Sequence, residues 1–163
     1  MAFVVRPATP DDWPGIWPIV EAVIRAGETY TLARDMPETE ARSFWMRAAP
    51  AVVLVAVDGD QVLGSAKVLA NQMGPGAHVA NASFMVGPAA RGRGVGRALG
   101  EAALDQARAL GFGAMQFNAV VEANRAAVAL WQSLGFEIIG TVPEAFDHPT
   151  EGLVGLHVMH RTL

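Results

Sequence analysis

The chain has 163 residues, a formal net charge of −4 and no cysteine. That length suits one domain with a single core, and the missing cysteine excludes a disulfide frame, thiolate metal sites and a cysteine nucleophile. The acidic balance excludes a general nucleic-acid surface, which needs cations clustered across a face. Apolar residues make up 52% of the chain without counting glycine, against about 45–50% with glycine included in a typical globular protein, so the composition points to a homodimer.

Residues 3–6 are expected to form a first strand. Thr9 or Asp11 is placed to cap a helix whose apolar positions are Ile16, Ile19, Val20, Val23 and Ile24. The irregular stretch Gly27-Glu-Thr-Tyr-Thr-Leu-Ala-Arg-Asp-Met-Pro37 follows, then a short helix from Pro37 with Phe44, Trp45 and Met46 near its end. Residues 52–57 read as a buried strand, Asp58-Gly59 as a hairpin signal and residues 62–69 as the antiparallel return. A Gly- and Pro-rich loop, residues 71–77, precedes a strand at 79–86.

A glycine-rich segment then leads into a helix carrying Leu99, Ala102, Ala103, Ala107 and Leu110 at helical spacing. Gly111 and Gly113 stop it, residues 115–120 form a strand, Asn124 opens another helix, and residues 138–142 and 153–160 are the last two strands. The sheet must be mixed, because the strand-helix-strand unit around the glycines requires parallel pairing and the hairpin requires antiparallel pairing. No run approaches the ~18 apolar residues of a membrane span, and Arg6, Asp11 and Asp12 interrupt any signal-peptide pattern. A soluble, cytoplasmic protein without membrane contact is expected.

The glycine-rich segment carries the chemistry. Residues 86–100 read V-G-P-A-A-R-G-R-G-V-G-R-A-L-G. Gly92, Gly94 and Gly96 let the backbone turn sharply and aim several N–H groups at one ligand, in front of a helix N-terminus with its positive dipole end. Arg91, Arg93 and Arg97 add charge and donors where phosphates would sit. A dinucleotide fingerprint fails in both frames, because Arg97 or Leu99 stands where the third glycine belongs. A P-loop fails as well, since Arg93-Gly94 replaces the Lys-Ser or Lys-Thr pair. What fits is Arg91-x-x-Gly94-x-Gly96.

That pattern, preceded by Ala82-Ser-Phe-Met-Val86, closely resembles motif A of the GNAT superfamily of acyl-CoA N-acyltransferases. The run Asn124-Arg-Ala-Ala-Val-Ala-Leu-Trp131-Gln-Ser-Leu-Gly135-Phe136 resembles the family's motif B, and Val5-Arg-Pro-Ala-Thr-Pro-Asp-Asp12 its first strand and helix start. The resemblance implies an α/β (α+β) fold over one domain, residues 1–163: a mixed, mostly antiparallel sheet of about seven strands with flanking helices. Two parallel strands, here 79–86 and 115–120, would splay apart to admit a pantetheine arm. It implies acetyl-CoA as cofactor, held by Met85, Val86, Arg91, Gly92, Arg93, Gly94, Val95, Gly96, Arg97, Asn124, Ala127 and Trp131, with the main-chain N–H near Val86 facing the thioester carbonyl. His157 and His160 fall on opposite faces of a strand, so no metal site is expected.

One departure matters. Most family members carry a tyrosine thought to protonate the departing thiolate, and this chain has Trp131 there, whose indole donates a hydrogen bond but is no useful acid. Asn81, Asn118 and Asn124 are placed to supply hydrogen bonding instead. The set Phe117-Asn118-x-Val120, Asn124-x-x-Ala127, Trp131-x-x-Leu134-x-Phe136 and Gly140-x-x-Pro143-x-Ala145 resembles the azetidine-2-carboxylate (proline-analogue) N-acetyltransferases. That likeness implies substrate or cofactor binding and catalysis for Asn118 and Asn124, and substrate binding for Asn81. Asn124 is equally a good helix N-cap in any fold. Glu28 and Tyr30 are candidates for holding the substrate ammonium or receiving its proton. The expected substrate is a small amine: an amino acid, an analogue such as phosphinothricin or a proline mimic, or an amine antibiotic. Acetylation of a protein N-terminus or lysine, with an open groove beside Tyr30, and a non-catalytic acyl-CoA-binding module are the alternatives.

Overall fold

The computed structural model describes residues 2–163. One seven-stranded sheet runs through the molecule in the order β1-β2-β3-β4-β5-β7-β6, with β1 Val4–Pro7, β2 Val52–Asp58, β3 Gln61–Ala70, β4 Val79–Val86, β5 Ala114–Val121, β6 Glu137–His148 and β7 Gly152–Thr162. Every neighbouring pair is antiparallel except β4 and β5. Four α-helices flank it: α1 Trp13–Ala26, α2 Glu38–Trp45, α3 Val95–Ala109 and α4 Arg125–Ser133. The expected mixed sheet of about seven strands is what forms. None of the described helices is long and apolar enough to cross a membrane.

Both faces of the central strands are covered, so β2 and β3 read as near-continuous apolar runs with little alternation. On one face α1 and α2 bury Trp13, Ile16, Val20, Ile24 and Trp45 against Val53, Val55 and Met85. On the other, Leu99 of α3 packs with Leu54, Ala56, Leu63 and Ala66, and Leu104 and Trp131 pack with Val68, Met115, Phe117, Phe136 and Met159. Gly100 allows α3 to approach α4, because a Cβ there would lie 2.8 Å from Leu134 and 3.1 Å from Trp131.

The start of α1 is tied to the sheet by a charge-assisted cluster. Thr9 caps a 3-10 turn at Pro10–Asp12, its N–H donating to the Asp12 carboxylate at 2.7 Å, while Arg6 of β1 donates to both Asp12 oxygens at 2.8 Å. The Arg6 guanidinium holds the Asp12 carboxyl down at about 2. Asp12, three residues after Thr9, thus closes the capping box; Asp11 does not.

Several strand ends differ by one or two residues from the reading of the sequence, and two differences have a clear structural cause. Asp58 pairs with Gln61, so the hairpin turn is Gly59-Asp60, with Gly59 at φ 57°. The strand expected at 138–142 runs on to His148, because β6 lies at the sheet edge and absorbs Pro143 in an irregularity between Val142 and Phe146, where Glu144 adopts φ 51°.

The functional consequence sits at the parallel pair. β4 and β5 share only two register positions, Val79 with Ala114 and Ala80 with Met115, before they separate. The far edge of β5 stays bonded to β7, with a bulge between Phe117 and Val120 that sets Asn118 and Ala119 beside the gap.

Candidate active site

Where β4 leaves β5, its backbone loses a strand partner. In the antiparallel ladder with β3, alternate residues turn their N–H and C=O toward β3, as the bond from Gly87 N–H to the Leu63 carbonyl at 2.8 Å shows. Phe84 turns the other way. Its N–H donates to the Tyr30 hydroxyl at 2.8 Å and its carbonyl accepts from that hydroxyl at 2.6 Å. Val86, two residues on, faces the gap by the same alternation.

A cavity of about 820 Å³ passes through this gap. On one side of the sheet it is walled by Val23, Tyr30, Leu32 and Phe44; on the other by the glycine loop, Arg97, Leu130 and Trp131. Of the residues singled out in the sequence, Tyr30, Asn81, Met85, Val86, Arg91, Gly92, Gly94, Val95, Gly96, Arg97, Asn118, Asn124, Ala127 and Trp131 all line it. Glu28 and Arg93 do not. Glu28 is exposed on the turn after α1. Arg93 bends back to Asp58 of β2 at 2.6 Å, an ion pair that fastens the loop to the hairpin and takes this cation out of the anion cradle.

The cradle itself has the geometry an anion needs. Gly94 is the N-cap of α3 at φ 75°, a conformation that side chains resist. The first-turn N–H groups of Val95, Gly96 and Arg97 have no intrahelical acceptor, and no side chain caps them. Arg97 hydrogen bonds Ser133 at 2.7 Å and so stands over the mouth, while Arg91 is exposed beside it. These donors fit a diphosphate.

The asparagines are held in a carboxamide network. Asn81 Nδ2 donates to the Gln116 carbonyl at 3.1 Å, bridging β4 to β5 just beyond their last paired residues. Asn118 accepts from Gln116 Nε2 at 3.0 Å and donates to Asn71 Oδ1 at 2.7 Å. Asn124 caps α4, its Oδ1 accepting from Ala127 N–H at 3.3 Å. Trp131 is a buried wall residue against Phe84, with ring centroids 4.6 Å apart.

Burial pushes the Tyr30 phenol up from its ordinary value, so it is protonated at neutral pH. Among the described residues, the cavity lining holds no carboxylate, histidine or lysine. An ammonium ion therefore has no anionic partner there.

Two features escaped sequence reasoning. Phe44 forms part of the cavity wall, and buried Lys67 of β3 donates from Nζ to the Phe44 carbonyl at 2.9 Å with the Phe44 ring centroid at 3.5 Å. Burial holds the Lys67 ammonium down to about 8. A lysine within the apolar run of β3 was the available signal, but its partner lies 23 residues away.

Known proteins share this architecture. The model of the acetyltransferase (GNAT) family matches residues 19–136, and the chain belongs to that family. Particular relatives narrow the neighbourhood. A GCN5-related N-acetyltransferase from Kribbella flavida is 58% identical over 99% of this chain and 98% of its own, with a TM-score of 0.96. A phosphinothricin acetyltransferase from Sinorhizobium meliloti, solved with acetyl-CoA, is 26% identical over 100% of this chain and 89% of its own, with a TM-score of 0.88. N-acetyltransferase aca1 of Schizosaccharomyces pombe is 29% identical over 137 residues, which cover 75% of this chain and 66% of that protein's length.

Replacing Gly94 by Glu places a Cβ at φ 75° and a carboxylate in front of the cradle. The expected result in a calorimetric titration is loss of acetyl-CoA binding by about tenfold or more; unchanged affinity would remove the loop from the site.

Proposed function

We propose that the protein transfers an acetyl group from acetyl-CoA directly to the amine of a small molecule, an amino acid or an amino-acid analogue. The observation that carries this reading is the cavity that connects the anion cradle on one side of the sheet with a carboxamide-lined chamber on the other, through the gap between β4 and β5. The first-turn amides of α3, with Arg91 and Arg97, would hold the diphosphate end of acetyl-CoA. When bound, that molecule supplies an activated acetyl thioester.

The chain's own contribution is positional and electrostatic. The Val86 N–H faces the gap with no strand partner and is the donor available to an oxygen gaining negative charge. The aromatic wall of Phe84, Phe117 and Trp131 limits water on the cradle side. On the amine side Asn81 and Asn118 offer amide donors and acceptors without net charge, a set that suits the carboxylate of an amino acid whose amine enters neutral.

Two likenesses support the amino-acid class. The motif B residues resemble those of the proline-analogue acetyltransferases, and phosphinothricin, named for the Sinorhizobium protein, is itself an amino-acid analogue. A chamber walled by Tyr30, Leu32 and Phe44 favours a small substrate over the open groove a protein chain needs.

The homodimer belongs to the same reading. Ile138, Ile139, Val142 and Leu153 stand exposed on the edge pair β6 and β7, an apolar surface that a second copy would cover. Light scattering at micromolar concentration should give the mass of two chains, and a monomer mass would overturn the dimer.

The substrate reading is tested by mixing protein, acetyl-CoA and a panel of amino acids and small amines, and following free thiol with a reactive dye. The chain has no cysteine to add background. Release of thiol that depends on an amino acid is expected, and Asn118→Ala should lower kcat/KM for that amine by about tenfold, the value of one lost hydrogen bond, with acetyl-CoA affinity unchanged. Acetyl-CoA binding with no release across the panel would turn the reading toward a protein substrate or a binding module.

A further inference from the structure

We propose that Asn71 and Gln116 are positioning residues for the amine substrate: together they lock the Asn118 carboxamide, so that it offers one N–H and one oxygen lone pair to the chamber at fixed places. The inference rests on the acetyl-transfer reading given above and deepens it, because it names the groups that set how Asn118 meets the acceptor. Asn81 and Asn118 line the cavity, whereas Asn71 and Gln116 do not. What the second pair contributes therefore acts through the first.

The register brings all four to one face. Leu69 pairs with Asn81 across β3 and β4, and Asn71 lies two residues beyond Leu69, held at the strand connection by its N–H, which donates to the Val79 carbonyl at 2.8 Å. Ala80 and Met115 are the last pair shared by β4 and β5, so Asn81 and Gln116 stand at the first position past the parting. Asn118 follows Gln116 by two residues along β5.

Gln116 is the hub of the network. Its main-chain carbonyl accepts from Asn81 Nδ2 at 3.1 Å, and its side-chain Nε2 donates to Asn118 Oδ1 at 3.0 Å. Asn118 Nδ2 donates in turn to Asn71 Oδ1 at 2.7 Å. A primary carboxamide has two N–H donors and two acceptor lone pairs, so each end of Asn118 is half used by the protein and half left for a ligand. Turning this amide over by itself would set Nδ2 against Gln116 Nε2 and Oδ1 against Asn71 Oδ1, exchanging two hydrogen bonds for two contacts of like polarity. An asparagine without these partners rotates and presents donor and acceptor interchangeably. Here donation runs one way, from Gln116 through Asn118 to Asn71, and the N–H left over has a fixed direction in which to meet the carboxylate of an amino acid.

Two nearly isosteric changes to acid test that direction, because each adds one negative charge while only one of them removes a bond. Asn71→Asp keeps the oxygen that accepts from Asn118; Gln116→Glu deletes the N–H that donates to it. With the amine identified by thiol release, Gln116→Ala, Gln116→Glu and Asn71→Ala should each lower kcat/KM by about three- to tenfold, the range of one hydrogen bond. Asn71→Asp should recover to within about twofold of the unsubstituted protein. In an Asn118→Ala background the Gln116→Ala and Asn71→Ala changes should cost less than about twofold more, since residues that act through one partner do not add. Calorimetric acetyl-CoA affinity should stay within about twofold in every variant, which shows that each is folded and that the cradle is untouched. Equal losses in the two acidic variants, or full losses repeated in the Asn118→Ala background, would overturn the assignment alone. No amine-dependent thiol release from the unsubstituted protein would overturn the transferase reading, and this assignment with it.

Discussion

The cavity, and the function proposed for it, depend on the parting of β4 from β5 after two paired positions. A buried sheet cannot leave peptide groups unpaired without cost, of the order of 1–3 kcal/mol for each unsatisfied donor or acceptor. The chain meets that constraint differently at successive residues. Asn81 reaches across to the Gln116 carbonyl where the strands begin to separate, the Tyr30 hydroxyl covers both groups of Phe84, and Val86 is left open to the cavity. The gap is thus a sheet edge partly stopped by side chains and partly exposed. Such an edge is suited to an extended ligand that brings its own amides.

The elements around the gap serve to hold it at a fixed width. On one face α3 and α4 pack closely through Gly100 against Trp131 and Leu134, which sets Trp131 against Phe84 in the aromatic wall. Opposite, Lys67 ties the C-terminal turn of α2 to β3 through Phe44, and the clamp of Arg6 and Asp12 fixes the entry of α1. At the loop, the Arg93 ion pair with Asp58 anchors the cradle to a hairpin that lies outside the site. Three of these four contacts use charged groups for position, which leaves Arg91 and Arg97 as the cations at the mouth.

The sequence made the scaffold readable because its signals are local. The glycine spacing, the apolar periodicity of α1 and α3, and Asn124 at the start of α4 each act within a few residues, and the structure places them as expected, except that Leu110 lies just past α3 and is exposed. Pairings across the fold were not readable. Arg93 meets Asp58 across 35 residues and the Tyr30 hydroxyl meets the Phe84 carbonyl across 54, and neither pairing has a local signal. Glu28 lies in a stretch without periodicity, where no rule says which way a side chain points, and it points to solvent.

Amide hydrogen exchange of β4, measured residue by residue with and without acetyl-CoA, tests the role of the gap most directly. In the free protein Val86 should exchange fast and Met85, whose N–H lies on the β3 side, slowly; acetyl-CoA should slow Val86 and leave Met85 as it was. A Val86 amide already slow without ligand, or one that acetyl-CoA does not protect, would contradict the view that the parted edge of β4 is the seat of the thioester.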